Sequence, residues 1–202
     1  MILTLANQKG GVGKTTLGVN LACLLAETTR QKVMVLDLDP QESAATWSDL
    51  GGLPIQVQRG GDPRSFDAPF VIADTPGNLH AVATQMAIQA ADVVLIPCGS
   101  SPQDIEPTKR TIAVVKELTR APCLLVLNRI RGGTITARAA EEWSGALGVT
   151  VANTRVHSRQ VFEQCVCQSW VANGPGSMEL QQVLIEILNI ASQKRINEKD
   201  AV

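Results

Sequence analysis

The first stretch of the chain leaves few ways to fold it. Ile2–Ala6 is a short apolar run; Gly10, Gly11 and Gly13 follow; Lys14-Thr15-Thr16 then opens a segment with Leu17, Leu21, Leu24 and Leu25 on one helical stripe. This order predicts a strand, a tight glycine turn and a helix. The glycines let backbone N–H groups approach an anion, and a helix starting at Lys14 aims its N-terminus at the same point. The residues therefore read as a phosphate-binding loop. In it Lys14 reaches the outer phosphates and the Thr15 hydroxyl ligates a divalent cation. The usual spacing, G-x-x-x-x-G-K-[ST], asks for a glycine where Gln8 stands, and it has no use for the second lysine, Lys9.

Beyond the loop the same alternation continues. Apolar runs at Lys32–Leu38, Phe70–Asp74, Val93–Pro97, Cys123–Asn128 and Val149–Ala152 lack polar alternation, as strands covered on both faces do. Helical patterns lie between and after them: Lys14–Glu27, Ser43–Leu50 with a serine cap, His80–Ala91, Glu106–Thr119 with Pro107 near its first turn, Thr134–Leu147 and Met178–Ser192. The expected fold is α/β, a twisted, mostly parallel sheet with helices on both faces. Pro54–Gly61 interrupts the alternation and reads as a short extra strand or an edge excursion. Residues 1–202 read as one domain, with 194–202 a polar tail expected to fray.

Composition narrows the function. Aromatic residues are 3% with no Tyr, so base-stacking platforms are not expected and the core must be mostly Val, Leu, Ile and Ala. A net charge of −1 is not the footprint of a constitutive nucleic-acid binder. The five cysteines (Cys23, Cys98, Cys123, Cys165 and Cys167) read as free thiols in a reducing cytoplasm rather than a metal or redox pair at Cys165-Val-Cys167. No apolar run is long enough to span a bilayer, and the strand-like start predicts no signal peptide.

Two further stretches fall at strand ends, where ligands sit in sheets of this kind. In Val35-Leu-Asp-Leu-Asp-Pro-Gln41, Asp37 and Asp39 are spaced to point the same way, which suits a cation-bound triphosphate with Asp39 polarising the attacking water. A helix-capping turn before Ser43 would explain one of these aspartates but not both. Phe70-Val-Ile-Ala-Asp-Thr-Pro-Gly77 ends an apolar strand in Asp74, placed to hold Mg²⁺, and Gly77 could bring a backbone N–H near the terminal phosphate.

Together these stretches resemble the ParA/MinD ATPases. Lys9–Thr15 matches that family's variant loop K-G-G-x-x-K-[ST], and Asp37–Gln41 and Asp74–Gly77 match its D-x-D-P-Q and D-T-P-G segments. Ile96–Asp104 and Val156–Phe162 look like its proline loop and its late arginine-containing segment. The resemblance implies a P-loop NTPase fold and a Mg²⁺-dependent ATPase binding ATP or ADP. Lys9, Gly10, Gly11, Val12, Gly13, Lys14, Thr15 and Thr16 would hold the nucleotide, and Asn128 and Arg129 would lie at its base. Thr15, Asp39 and Asp74 would hold the metal; Lys9, Lys14 and Asp39 would be catalytic. Lys9 would act across a homodimer interface, in the manner of an arginine finger.

The resemblance is strongest to the small plasmid-partition or cargo-positioning members. It therefore implies nonspecific DNA binding, a ParB-like or adaptor protein that stimulates hydrolysis, and a cytoplasmic, nucleoid-associated location with ATP. Arg129, Arg131, Arg138, Arg155, Arg159, Lys194 and Arg195 are the candidate DNA contacts, and solvated surface charge is the equal alternative. Two rivals stay open: a MinD-like membrane-positioned ATPase, against which the apolar stripe of the last helix reads as packed on the core, and a dethiobiotin-synthetase-like ligase, against which Lys9 argues.

Overall fold

A computed structural model describes residues 1–200. Strand β1 (Ile2–Leu5) lies inside the sheet, between β4 (Phe70–Asp74) and β5 (Val93–Cys98). The order is β3-β2-β4-β1-β5-β6-β7, with β8 also on β6. Here β2 is Val33–Asp37, β3 Gln56–Arg59, β6 Cys123–Ile130, β7 Thr150–Val151 and β8 Val156–His157. Every pairing is parallel. The chain fills the sheet to one side of β1 through β4 and to the other from β5 onward. That reversal opens a crevice beyond the carboxyl end of β1, which is where the glycine loop emerges.

Side-chain alternation splits the strands between two cores. Leu3, Leu5, Val35, Ile72, Leu95, Leu124 and Val126 face α1 (Lys14–Thr29), α2 (Ser43–Asp49) and α7 (Gly174–Asp200). Val94, Ile96, Leu125 and Leu127 face α3 (Val82–Ala90), α4 (Pro102–Leu118) and α5 (Ile135–Gly145). Met34, Leu36, Val71 and Ala73 continue that second layer toward the β3 edge. Helix α1 is buried nearly all round, because it packs against β2, β4 and α7 at once. This unbroken burial explains why its sequence extends beyond a single leucine stripe into Val19, Ala22 and Cys23.

The expected strands and helices are present, with Pro54–Gly61 supplying the edge strand β3. Four local expectations need correction. Ser43 does not cap α2: the cap is Glu42, in a left-handed conformation with φ 51° and no side-chain cap bond. Helix α4 begins at Pro102 rather than Glu106, because Ser101 and Asp104 form a capping box and Pro102 takes the first turn. Pro107 therefore falls in the second turn. A further helix, α6 (Gln160–Gln168), was not anticipated. Finally, the stretch from Lys194 expected to fray continues α7 to Asp200, and residues 201–202 lie outside the described residues. No helix among the described residues is long and apolar enough to cross a membrane.

Candidate functional site

The glycine loop leaves β1 and ends at Gly13, the N-cap of α1, with φ 93°. No side chain caps this helix and its first turn holds no acidic residue, so its leading N–H groups are open to an anion. A Cβ at position 13 would collide with Asn128 Nδ2. G13A is therefore expected to lower the melting temperature by about 2–8 °C through left-handed strain alone, and to weaken nucleotide binding as Asn128 is displaced. Differential scanning calorimetry and nucleotide titration check the two effects. Gly77 is constrained from another direction. A Cβ there would meet Gln8 O at 2.7 Å, so the turn after β4 lies directly on the loop.

Lys14 is 8% exposed, and its Nζ donates to Asn7 O (3.0 Å) and Lys9 O (3.4 Å). Burial pulls its pKa below the usual lysine range, with Asp74 and then Asp39 opposing. The loop is tied to its surroundings by Asn7: Lys9 N donates to Asn7 Oδ1 (3.0 Å), while Asn7 Nδ2 donates to Pro97 O (2.8 Å). The Lys9 ammonium goes elsewhere, forming an ion pair with Asp104.

Asp74 and Thr15 meet where the resemblance implies a metal. Thr15 Oγ1 donates to Asp74 Oδ2 at 2.6 Å, and Asp74 Oδ1 is buried with no partner. Burial pushes the Asp74 carboxyl up to about 7; the Thr15 bond opposes the shift, and Asp37 nearby adds to it. An orphaned buried carboxylate oxygen beside a hydroxyl, with Asp39 close enough to be felt, fits a hard divalent cation with oxygen ligands. No cluster of three or more His, Cys, Asp and Glu that could hold a metal occurs among the described residues. Cys165 is buried and Cys167 exposed, both as free thiols.

The two aspartates after β2 do not share a task, contrary to the expectation that they point together. Asp37 Oδ1 accepts from Asp39 N (3.1 Å) and its Oδ2 from Ala45 N (2.9 Å). Asp37 thus braces the turn and supplies α2 with the cap that Ser43 does not. Asp39 is the one that lines the cavity. The helix-capping alternative was right for one of the pair.

At the far side of the loop, β6 reaches over it. Asn128 Nδ2 donates to Val12 O (2.8 Å), and Arg129 Nη1 to Gly11 O (2.6 Å). Arg129 sits at a register irregularity between β6 and β8, with φ 58°. A left-handed arginine costs roughly 1–2 kcal/mol, and the conformation brings its guanidinium onto the loop. Both side chains donate to backbone carbonyls of the phosphate loop.

These parts enclose a cavity of about 730 Å³. Its lining includes Gly10, Gly11, Gly13, Lys14, Thr15, Thr16, Asp39 and Gly77, together with Trp47, Asn128, Arg129 and Phe162. Val12, Asp74 and Lys9 are not among the residues that line it. The mouth is held from α7. Glu179 accepts from His157 N (3.0 Å), pairs with His157 Nδ1 (2.8 Å) and takes Arg159 Nη2 (2.5 Å). Burial raises the Glu179 pKa, but the Arg159 and His157 bonds outweigh it and hold the group below the usual carboxylate range. One turn pair further along α7, Glu186 accepts from Asn153 N (2.7 Å) and Thr154 N (3.0 Å). Nothing in the local sequence marks Glu179 or Glu186, because their partners lie twenty or more residues away.

Residues 3–161 match the family described as the CobQ/CobB/MinD/ParA nucleotide binding domain. The chain is 29% identical over 208 residues to the maintenance of carboxysome distribution protein A of Halothiobacillus neapolitanus, covering 92% of this chain and 95% of that one. Two solved structures share the fold. A plasmid partition protein of Borrelia burgdorferi B31 bound to AMPPNP has a TM-score of 0.77 at 18% identity, covering 96% of this chain and 98% of its own. The MinC:MinD complex of Aquifex aeolicus gives a TM-score of 0.76 at 17% identity, covering 93% and 95%.

Proposed function

The chain belongs to the CobQ/CobB/MinD/ParA nucleotide-binding family, and from that premise we propose a Mg²⁺-dependent ATPase of the ParA type that positions a cargo. Water attacks the terminal phosphorus of ATP, the bond to the bridging oxygen breaks, and ADP and phosphate leave. Lys14 and the open N–H groups of α1 neutralise phosphate charge. Asp39, on the cavity wall, orients the water. Thr15 and Asp74, with Asp39, would hold the metal, which supplies charge neutralisation across the outer phosphates.

The observation that carries the dimeric form of this reading is the place of Lys9. It belongs to the loop, yet its ammonium stands outside the cavity the loop lines and pairs with Asp104. A cation kept out of its own site is suited to completing a neighbour's. ATP would then join two copies face to face, and a ParB-like or adaptor protein would trigger hydrolysis and separation. The relative from Halothiobacillus supports a protein assembly as cargo at least as well as a plasmid or chromosome.

DNA is the proposed matrix, with the protein in the cytoplasm and on the nucleoid when ATP is bound. Of the candidate contacts, Arg155 pairs with Glu141, Arg159 with Glu179, and Arg129 lies on the loop. Arg131 and Arg138 remain exposed, and no ion pair involves them among the described residues. The Arg195 side chain lies outside the described residues. A two-fold dimer would double the Arg131–Arg138 patch.

The test is binding to random-sequence duplex with ATP, with ADP and without nucleotide, at two salt concentrations. The expected result is at least about tenfold tighter binding with ATP. The log–log salt slope should be roughly −0.9 per phosphate neutralised. Equal binding in all three states would remove the nucleotide switch. No binding in any state would move the matrix off DNA, and liposome co-sedimentation would follow.

A further inference from the structure

We infer that Asp104 is a positioning residue for Lys9, an internal latch that holds the trans-acting lysine against its own chain until a neighbour's phosphates outcompete it. The inference rests on the trans role proposed above for Lys9.

The geometry is specific. Asp104 is 5% exposed, at the third position of α4. Its two oxygens have separate duties: Oδ2 accepts from Ser101 N at 2.9 Å, closing the capping box, and Oδ1 takes the Lys9 ammonium. The carboxylate is fixed to the helix and cannot follow the lysine. Lys9, by contrast, is anchored apart from this pair through its backbone, its N–H donating to Asn7 Oδ1 and its carbonyl accepting from Lys14 Nζ. Its side chain can therefore turn away without disturbing the loop.

Release is also physically affordable at the aspartate. A buried carboxylate stripped of its counter-ion is normally costly. Here Asp104 keeps the Ser101 N–H and sits in the first turn of α4, where the helix dipole favours negative charge. The pair is thus strong enough to occupy the lysine and weak enough to yield to a triphosphate, whose denser charge attracts an ammonium more strongly. Latched copies resist pairing, and a copy facing an ATP-loaded partner gives up its lysine. The latch would set the threshold at which ATP drives assembly.

The experiment has two arms. In the first, the nucleotide-free protein is treated with acetic anhydride and the acetylation of each lysine followed by mass spectrometry. Lys9 should react at least about fivefold faster in D104N than in wild type, with Lys14 unchanged. Equal rates at Lys9 overturn the latch whatever ATP does. In the second arm, ATP-dependent association is followed by sedimentation velocity. D104N should dimerise at about fivefold lower protein concentration or less. D104E, which keeps the charge, should return toward wild type. The D104N effect should vanish in a K9A background. Identical behaviour of D104N and D104E would assign the effect to the helix cap and overturn the proposal, as would a D104N shift that survives in K9A. If Lys9 labelling responds but no variant dimerises with ATP, the trans reading of Lys9 falls, and with it the latch's role in assembly.

Discussion

Lys14→Ala is expected to raise the dissociation constant for ATP by at least about 100-fold while leaving the fold intact. The Lys14 ammonium is buried, donates to Asn7 O and Lys9 O, and is desolvated enough to have its pKa lowered. Charge-assisted hydrogen bonds are worth about 1.5–3 kcal/mol each, and tenfold in affinity is about 1.4 kcal/mol. Loss of two such bonds to phosphate therefore exceeds 100-fold. Stability should move differently. A buried ammonium costs desolvation energy that two carbonyls do not fully offset, so the nucleotide-free variant should melt at the wild-type temperature or above. Titration calorimetry and a thermal melt read the two quantities. Tight ATP binding by the variant would remove Lys14 from the phosphate site, and a large loss of stability would mean that its structural role dominates.

Asp39→Ala should separate binding from chemistry. Asp39 lines the cavity but does not build it: its Oδ1 accepts from Gln41 N at 2.9 Å, and the brace on α2 comes from Asp37. Nucleotide affinity is therefore expected to stay within about threefold of wild type. Turnover should fall by about 10²–10⁴, the usual contribution of a group that handles the proton of the attacking water. Dimers formed with ATP should consequently persist. Asp37→Ala should do the opposite, losing stability through the freed Ala45 and Asp39 amides with a smaller effect per folded molecule on turnover. Single-turnover phosphate release on both variants settles the assignment, and normal turnover by Asp39→Ala would end it.

The sheet and the phosphate loop were legible because their signals are local. Apolar runs such as Val33–Asp37 and Val93–Cys98 announce strands covered on both faces, and Gly10–Thr16 announces its own turn and helix start. Residues placed by long-range bonds were not legible. Ser43 looks like a cap, but Asp37 reaches the Ala45 amide first. Asn128 and Arg129 carry a base-contact look in sequence, whereas their bonds to Val12 and Gly11 depend on how β6 passes the loop. Lys9 gives no sign of Asp104, since the two meet only when β1 and β5 lie side by side. The start of α4 is local too: Ser101-Pro102-Gln103-Asp104 spells a capping box with proline in the first turn, and Pro107 is a second proline that suits a helix start.

Helix α7 has a consequence for how the protein is made. Glu179 and Glu186 hold the segment from Asn153 to Arg159 that shapes the cavity mouth. At about 5–20 residues per second, the ribosome delivers those glutamates roughly ten to thirty seconds after the glycine loop. Until then a nascent chain carries a phosphate cradle without its wall. Every strand precedes Glu179 in the chain, so this brace is added only after the whole sheet has been synthesised.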